Sequence, residues 1–420
     1  MEKAFEKVAV NEKHKNWKEL IKRQEEIYSR EDDVRSPFVR DYTRVLHSLA
    51  YRRLKHKTQV FFNAAGNDHI CTRIEHVAHV ESVATTVSKA LGLNDELASA
   101  IAISHDLGHA PFGHLGERVI TKLSEAYLGK KFWHEQNGVH FVDNVELLKD
   151  NENKLKNLNL TYAVRDGIIS HCGELDNNSL RPRDELFDLS EFDEPGKYEA
   201  ATWEGCVVKL ADKISYLGRD IEDALRLHYF DEKQQEKLQK MARIHNEKAL
   251  NTTVIMHNMI IDLCHNSSPD KGLCLSKEMS DQLNEIKAFN YEAIYKNKRL
   301  QPFSNYASLI INQLFDSLMG FWDEYVEEGK KDTGSVIELI DKKKFGGYNF
   351  VKNFAEKLAA FSLSQDIEID WVKAENAKCF NKKIYGDLSK KEQYVQAVID
   401  YIAGMTDTYA ISSFEELLQC

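Results

Sequence analysis

The sequence is poor in residues that interrupt helices, with six prolines and 20 glycines among its 420 residues. No uninterrupted apolar run approaches the roughly 18 residues of a membrane-spanning helix, and the N-terminus is charged from Glu2 onward, without an apolar signal core. The seven cysteines form no Cys-x-x-Cys pair, which excludes a zinc ribbon and favours reduced thiols. These absences predict a helical, cytoplasmic protein that does not enter a membrane.

The charge balance argues against one broad class of function. The chain has 67 acidic and 56 basic residues, for a net charge of −11, which is not expected of a protein that coats nucleic acid. It leaves room for a local basic pocket that binds phosphates. A Walker-type nucleotide site is excluded, because the chain has no Gly-x-x-x-x-Gly-Lys-Ser/Thr motif.

The apolar periodicity predicts an all-α protein with one exception. Around residues 59–73, two short apolar stretches flank a Gly-Asn-Asp turn at 66–68, which predicts a β-hairpin. The length allows two or three domains or one large helical body. We expect an N-terminal helical arm in residues 1–32, a catalytic core in residues 33–230, and further helices in residues 231–420 that pack on the core.

Histidines are concentrated in a window between residues 73 and 134. Imidazole and carboxylate groups are the ligands of catalytic divalent cations, and histidine is also the usual general acid or base near neutral pH. The window therefore predicts a metal-centred active site, although His79 lies among valines and is interpreted as structural. Six of the chain's 16 histidines lie there: His76, His79, His105, His109, His114 and His134.

Two histidines and two carboxylates are the predicted ligands of one cation. Mixed nitrogen and oxygen ligation without a thiolate favours Mn²⁺, Mg²⁺, Fe²⁺ or a similar ion. Neighbours on a helix point about 100° apart, so His105 and Asp106 can share an ion only where their helix ends in a cleft. The alternative for Asp212 is a surface carboxylate that pairs with a lysine. The four predicted ligands are His76, His105, Asp106 and Asp212.

The window holds more ligating groups than one ion needs. His109, His114, Glu117 and His134 could position or protonate a reacting group, and Glu117 follows His114 at the helical spacing that would let it orient the imidazole. The alternative for His134 is a core residue stacked under Trp133. Arg73, Lys213 and Arg219 are candidates to contact an anionic substrate, with surface salt bridges as their alternative.

Several ordered motifs, taken together, resemble a known family. The Arg-x-x-His sequence at 73–76, His105-Asp106 and Asp212 are similar to the HD superfamily of metal-dependent phosphohydrolases. A closer resemblance, over roughly residues 33–412, is to the bacterial deoxyguanosine triphosphate triphosphohydrolases. It is carried by Arg35-Ser36-Pro37-Phe38, Arg52-Arg53-Leu54, Lys57-Thr58-Gln59-Val60-Phe61, the stretch from His105 to Glu117, the stretch from Ala211 to Tyr216, and the stretch from Asp400 to Asp407.

The resemblance implies an HD-domain helical bundle with extra C-terminal helices. It also implies hydrolysis of a deoxynucleoside triphosphate, with dGTP expected, to the deoxynucleoside and triphosphate through attack on the α-phosphorus. The same four residues would bind one divalent cation, and His114, Glu117 and His134 would be catalytic. The implied substrate-binding residues are Gln59, Arg73, His109, Lys213, Tyr216 and Asp220.

The resemblance further implies a homo-oligomer, with a hexamer favoured, and activation by a bound nucleotide. Weak binding of single-stranded nucleic acid is a further expectation. Two departures from the family pattern are Thr408, where many relatives carry arginine, and Ala110, where proline is frequent. Two alternatives stay open: another HD phosphohydrolase, or a non-catalytic regulator that senses nucleotides or binds nucleic acid.

Overall fold

The computed structural model describes residues 3–25, 32–62, 69–173, 178–242, 252–329, 332–343, 348–363, 370, 372–374 and 382–418. Helices dominate these residues, which confirms the all-α prediction. None of the described helices combines the length and the apolar character needed to cross a membrane. The first nine α-helices are α1 (Trp17–Leu20), α2 (Pro37–His47), α3 (Leu49–Arg53), α4 (Arg73–Leu91), α5 (Asp95–Ser104), α6 (Gly113–Leu128), α7 (His134–His140), α8 (Tyr162–Ser170) and α9 (Trp203–Arg226).

The second half of the chain continues in the same way. Two π-helical turns, Phe141–Val145 and Tyr291–Tyr295, extend α7 and the helix that ends at Asn290. The remaining α-helices are α10 (Glu232–Ala242), α11 (Thr252–Asn266), α12 (Lys277–Asn290), α13 (Gln301–Glu327), α14 (Thr333–Lys343), α15 (Asn349–Phe361), α16 (Lys391–Ala403) and α17 (Asp407–Leu418).

The β-structure differs from the predicted hairpin. Two strands, β1 (Leu147–Lys149) and β2 (Leu155–Asn157), pair antiparallel with Leu147 opposite Asn157. Near residues 59–73, a single antiparallel bridge joins Thr58 to Thr72, and the described residues 59–62 and 69–71 form no strand. The predicted turn lies outside the described residues. Of the predicted hairpin, the described residues therefore show only the bridge that brings the two ends of the segment together.

Local signals in the sequence set the boundaries of the central helices. Asn94 caps α5, because its side-chain oxygen accepts a hydrogen bond from the Leu97 N–H at 3.1 Å. Gly92 ends α4 with a φ of 87°, a left-handed conformation that glycine adopts without steric cost. The predicted buried stripe of α4 is confirmed, since Val77, Val80, Val83, Ala84 and Val87 are all buried.

Two hydrophobic cores divide the part of the chain that the structure describes. The first is built around α4, α5 and α9, and it includes buried residues of α11 and α12 as far along the chain as Ile294. The second is built around α13 and also contains residues of α6 and of α14 to α17. The C-terminal region therefore contributes to both cores, and α6 joins the second core although it lies in the predicted catalytic part of the chain.

The N-terminal segment differs from the predicted surface helix. Residues 3–25 consist mostly of turns, and α1 is only four residues long. Phe5, Val10 and Leu20 are buried in the first core, and the Phe5 N–H donates to the Leu91 carbonyl at 3.0 Å. These apolar side chains hold the segment against the protein, so its described part is not an arm.

Two other segments are defined by turns and local contacts. Residues 393–412 span two helices, because the chain turns between Ala403 and Asp407. The stretch after α8 is attached through Leu180, which pairs with Leu273 in an antiparallel bridge. Arg183 anchors the same stretch by an ion pair with Asp166.

Candidate active site

The four predicted cation ligands converge from three helices of the first core. His76 lies in the first turns of α4, His105 and Asp106 follow the last residue of α5, and Asp212 lies in the middle of α9. The Nε2 atom of His76 is 2.9 Å from Oδ1 of Asp212 and 3.8 Å from Oδ2 of Asp106. The Nε2 atom of His105 is 3.5 Å from Oδ1 of Asp106 and 3.9 Å from Oδ1 of Asp212.

The end of α5 places both His105 and Asp106 at the site, as the sequence predicted. The chain turns at residues 105–108, and Asn137 of α7 donates to the Gly108 carbonyl at 2.7 Å. A Cβ atom at Gly108 would lie 2.0 Å from the His134 carbonyl oxygen. Only glycine therefore permits α7 to approach this closely, and that approach brings His134 to the site.

The hydrogen bonds of His105 test whether a cation fits. Its Nδ1 atom lies 2.6 Å from the Ala102 carbonyl, and a carbonyl can only accept, so Nδ1 carries the proton and Nε2 presents a lone pair. This Nε2 atom is buried, with no hydrogen-bond partner among the described residues. A buried lone pair that faces two carboxylates is what a metal ligand requires. These residues can therefore hold a divalent cation.

Arg73 is the main fixed positive charge beside these carboxylates. It is 1% exposed, and its Nη1 atom donates to Oδ2 of Asp106 at 2.7 Å. Burial alone would raise the pKa of Asp106, but His105, Arg73 and His109 outweigh it and hold the pKa well below its usual value. Asp106 is therefore a carboxylate at neutral pH.

A sixth histidine belongs to the site, although the sequence analysis missed it. His171 follows α8 as His105 follows α5, and its Nδ1 atom lies 2.7 Å from the Ile168 carbonyl. Its Nε2 atom is 4.0 Å from Oδ1 of Asp106. The signal was present in the sequence, because Ile103-Ser104-His105 and Ile169-Ser170-His171 both end an apolar helix with the same three residue types.

Glu117 connects the two predicted catalytic histidines. Its carboxylate lies 3.2 Å from Nδ1 of His114 and 3.0 Å from Nδ1 of His134. The His134 ring stacks on His109 at 3.7 Å, so it is not a core residue under Trp133. The His114 side chain is 62% exposed and that of His134 is 6% exposed. His114 is therefore the more accessible member of the pair.

The protonation states of His134, Glu117 and His109 follow from the charges around them. Burial lowers the pKa of His134, but Glu135 and Glu117 outweigh burial and raise the pKa to about 9. Burial also disfavours the Glu117 carboxylate, yet His134 and His114 hold its pKa well below the usual value. Burial, Arg73 and His134 together lower the pKa of His109 far below its usual value. At neutral pH His134 is thus an imidazolium on a carboxylate, next to a neutral His109.

The turn into α6 directs His114 toward the same space. Phe112 has a φ of 63° and Gly113 a φ of 58°, so two consecutive residues adopt the left-handed conformation just before His114. This conformation is unusual for a bulky residue. The Phe112 ring packs against Phe62 and Phe303 at 6.2 Å and 6.0 Å, contacts that stabilise the turn.

Most of these groups line a cavity of about 780 Å³, a size typical of small-molecule sites. One wall comes from α9, through Asp212, Tyr216 and Asp220, and a second wall comes from α12 and the π-helical turn after it. The sequence did not predict the second wall, because nothing in the local pattern of α12 indicates its partner. The predicted residues that line the cavity are Gln59, Arg73, His76, Asp106, His109, His114, His134, Asp212, Tyr216 and Asp220.

Two predicted cationic residues occupy other places. Lys213 is buried in α9 and does not line the cavity, so its contact with a substrate stays a prediction. Arg219 pairs with Glu222 at 2.8 Å and contacts His79, which agrees with the structural interpretation of His79. The cavity is instead lined by Arg118 and Lys287, which the sequence analysis did not select.

Asp220 lies deep in the cavity with an unusual partner. It accepts a hydrogen bond from the hydroxyl of Tyr295 in the π-helical turn. Burial raises the pKa of Asp220 to about 7, against the opposing effect of that hydrogen bond. Gln59 lines the same cavity, and its Oε1 atom is buried without a hydrogen-bond partner among the described residues.

Two family profiles match this chain, and one of them covers the candidate active site. The profile of the HD domain matches residues 73–217, which contain all four predicted cation ligands. The profile of the phosphohydrolase-associated domain matches residues 273–330 and 371–416.

Full-length relatives are similar over most of the chain. A deoxyguanosinetriphosphate triphosphohydrolase-like protein of Caldanaerobacter subterraneus subsp. tengcongensis is 32% identical over 385 residues, which cover 92% of this chain and 86% of the relative. A protein with the same description from Clostridium perfringens (strain SM101 / Type A) is 30% identical over 419 residues, covering 98% of this chain and 95% of the relative. Another, from Desulfatibacillum aliphaticivorans, is 34% identical over 297 residues, covering 70% of this chain and 76% of the relative.

Proposed function

The chain belongs to the family of HD-domain deoxyguanosinetriphosphate triphosphohydrolase-like proteins, and we propose that it hydrolyses deoxynucleoside triphosphates to the deoxynucleoside and triphosphate, with dGTP as the expected substrate. It is an HD phosphohydrolase. The observation that carries the finer proposal is that three of the predicted cation ligands (His76, Asp106 and Asp212) line one cavity of about 780 Å³ together with His134, which Glu117 holds.

The ligand set indicates what the cation contributes. His76, His105, Asp106 and Asp212 would hold Mn²⁺, Mg²⁺, Fe²⁺ or a similar ion, which would supply Lewis acidity and positive charge for phosphate oxygens. The protein's own cations add to this charge, since Arg73, Arg118 and Lys287 all line the cavity. Phosphate groups are ligands that such a set of positive charges favours.

The histidine pair supplies proton transfer. Glu117 holds the Nδ1 sides of both His114 and His134, so it fixes their orientation and keeps His134 protonated. A positioned imidazolium can donate a proton to a leaving oxygen. In the proposed reaction water attacks the α-phosphorus, the bond to the 5′ oxygen breaks, and that oxygen takes up a proton.

Three side chains of the cavity suit a deoxyribose. The Oε1 atom of Gln59, which has no hydrogen-bond partner within the described part of the chain, can accept a hydrogen bond from a 3′-hydroxyl. Tyr216 and Asp220 project from consecutive turns of α9 into the same space, where they would limit the room at the 2′ carbon. A hexamer, activation by a nucleotide, and weak binding of single-stranded nucleic acid stay predictions.

Product analysis tests the proposal. Each deoxynucleoside triphosphate is incubated alone and in pairs with Mn²⁺ and the protein, and the products are separated by chromatography. We expect the deoxynucleoside and tripolyphosphate. Release of pyrophosphate or orthophosphate would contradict a triphosphohydrolase and favour another HD phosphohydrolase. Activity that appears only in mixtures would support a nucleotide activator.

A further inference from the structure

A second set of metal-binding atoms lies beside the predicted cation site. His134, His171 and Cys172 each offer one ligand atom, and these atoms lie within 4.8 Å of one another. The Sγ atom of Cys172 is 3.5 Å from Nε2 of His134. The rings of His134 and His171 are 5.3 Å apart. The three residues come from the start of α7 and the end of α8.

The two imidazoles are already oriented for this role. The Nδ1 atom of His171 is engaged by the Ile168 carbonyl at 2.7 Å, and that of His134 by Glu117 at 3.0 Å. Metal-binding histidines typically have their second nitrogen held in this way, by a carbonyl or a carboxylate. Both rings can therefore offer Nε2, on the side where His134 approaches the Cys172 thiol.

A buried carboxylate adds negative charge to the same place. Glu135 is 2% exposed, and its Oε2 atom lies 3.3 Å from Nδ1 of His134. This carboxylate already faces the His134 imidazolium and the Cys172 thiol, so an ion bound to those two residues would lie beside a negative charge.

We propose that His134, His171 and Cys172 form a second cation site, selective for a thiophilic ion such as Zn²⁺, and that an ion bound there inhibits the enzyme. A thiolate with two imidazoles is a ligand set that Zn²⁺ prefers, whereas the first site offers only nitrogen and oxygen. The two sites therefore differ in the ions that they select. Binding releases two protons to solvent, the thiol proton of Cys172 and the Nε2 proton of the His134 imidazolium.

The inhibitory effect rests on the proposed function. An ion on Nε2 of His134 occupies the atom that would exchange a proton with the substrate. It also engages His171, whose Nε2 atom is 4.0 Å from Oδ1 of Asp106 in the first site. Occupation of the second site would thus remove the imidazolium from the cavity.

Cobalt binding tests the site without any reaction. The full-length protein is kept in excess Mg²⁺, a hard ion that occupies oxygen ligands, and Co²⁺ is titrated while the near-ultraviolet sulfur-to-cobalt absorption is recorded. We expect this absorption in the wild type and in Cys264→Ser, and its loss in Cys172→Ser. Cys264 is the matched control because it is a half-buried thiol on α11, in another part of the fold. Equal absorption in Cys172→Ser, or none in the wild type, would overturn the proposal.

Zinc inhibition tests the consequence. Zn²⁺ is titrated into Mn²⁺-supported hydrolysis of dGTP, and each variant is compared with its own zinc-free rate. Loss of a ligand should raise the half-inhibitory Zn²⁺ concentration in Cys172→Ser by about 10- to 100-fold, with Cys264→Ser unchanged. An unchanged half-inhibitory Zn²⁺ concentration in Cys172→Ser would show that zinc acts at the first site and would overturn the inhibitory role. If the wild type hydrolyses no deoxynucleoside triphosphate, the proposed function fails, while the cobalt titration still decides whether the second site exists.

Discussion

Asp407 accepts the backbone N–H of Phe112 at 2.8 Å, although the two residues are 295 positions apart. Its second carboxylate oxygen accepts the N–H of Thr58 at 2.9 Å. Thr58 precedes Gln59, and Phe112 lies two residues before His114. One buried side chain at the start of α17 therefore holds both segments that carry these residues to the cavity. This is the structural role of Asp407 within the C-terminal motif.

Replacing Asp407 should disturb the site as well as the fold. Asp407→Asn places an amide NH₂ against one of the two backbone donors, and leaving such a donor unsatisfied costs about 1–3 kcal/mol. The left-handed turn at Phe112 would lose its support, so we expect a lower kcat and a higher KM for dGTP. Urea denaturation and steady-state kinetics measure the two effects.

The matched control for Asp407 lies on the same helix. Glu415→Gln removes one negative charge from an exposed position of α17, so it should leave both stability and kinetics near those of the wild type. Equal effects of the two substitutions would show that charge, rather than the two backbone hydrogen bonds, explains the result.

The cation should stabilise the folded protein through His105 and Asp106. A ligand that binds only the native state adds about 2.7 kcal/mol at a hundredfold excess over its Kd. We therefore expect Mn²⁺ to raise the Tm of the wild type, and the double variant His105→Ala/Asp106→Ala to lose both this rise and turnover. His79→Gln, outside the cavity, should retain both. Unchanged turnover in the double variant would contradict the assigned site.

Glu117 should control the protonation of His134. Glu117→Gln removes a carboxylate that raises the pKa of His134, so the imidazolium is lost at a lower pH. Because positioned acids and bases contribute about 10²- to 10⁴-fold, we expect a decrease in kcat of that order. The alkaline limb of the kcat profile should also move to lower pH. A uniform loss of rate with an unshifted profile would argue that Glu117 acts only in folding.

Asp220 should make stability depend on pH. Its pKa rises on folding from 3.8 to about 7 because of burial, so between these values the folded state binds more protons than the unfolded state. Stability from this group is therefore present at low pH and lost as pH rises through about 7. The free energy of unfolding can be measured by urea denaturation from pH 4 to 8 with a chelator present. It should decrease less with rising pH in Asp220→Asn than in the wild type. Asp281→Asn, an exposed change on α12, should follow the wild type.

Much of the cation site could be predicted from the sequence. The apolar helix that ends at Ser104, followed by Gly108 and Pro111, indicated that His105 and Asp106 leave a helix in a cleft. His171 has the same local signal, but a single histidine after an apolar helix is not distinctive without knowledge of its neighbours. The prediction of an N-terminal helical arm was wrong for a related reason. The local sequence did not show that Phe5 and Val10 would be buried against the rest of the protein.

The wall formed by α12 could not be predicted from the sequence. Tyr295 reaches Asp220 only because α12 and its π-helical turn pack on α9. The hydrogen bond between Asp407 and Phe112 could not be predicted either, because no periodic pattern relates the two segments that it joins. The β-strands at 147–157 were also missed, since each is only three residues long.

The sequence by itself determined most of the helices, the ligand types and the absence of a phosphate-binding loop, because these depend on residues within a few turns of one another. Only the tertiary structure decided which of those side chains meet. Helical spacing sets the face on which a residue lies, but the distance between His105 on α5 and Asp212 on α9 depends on how the two helices pack. The same packing placed Cys172 against His134, and from that contact the second cation site was inferred.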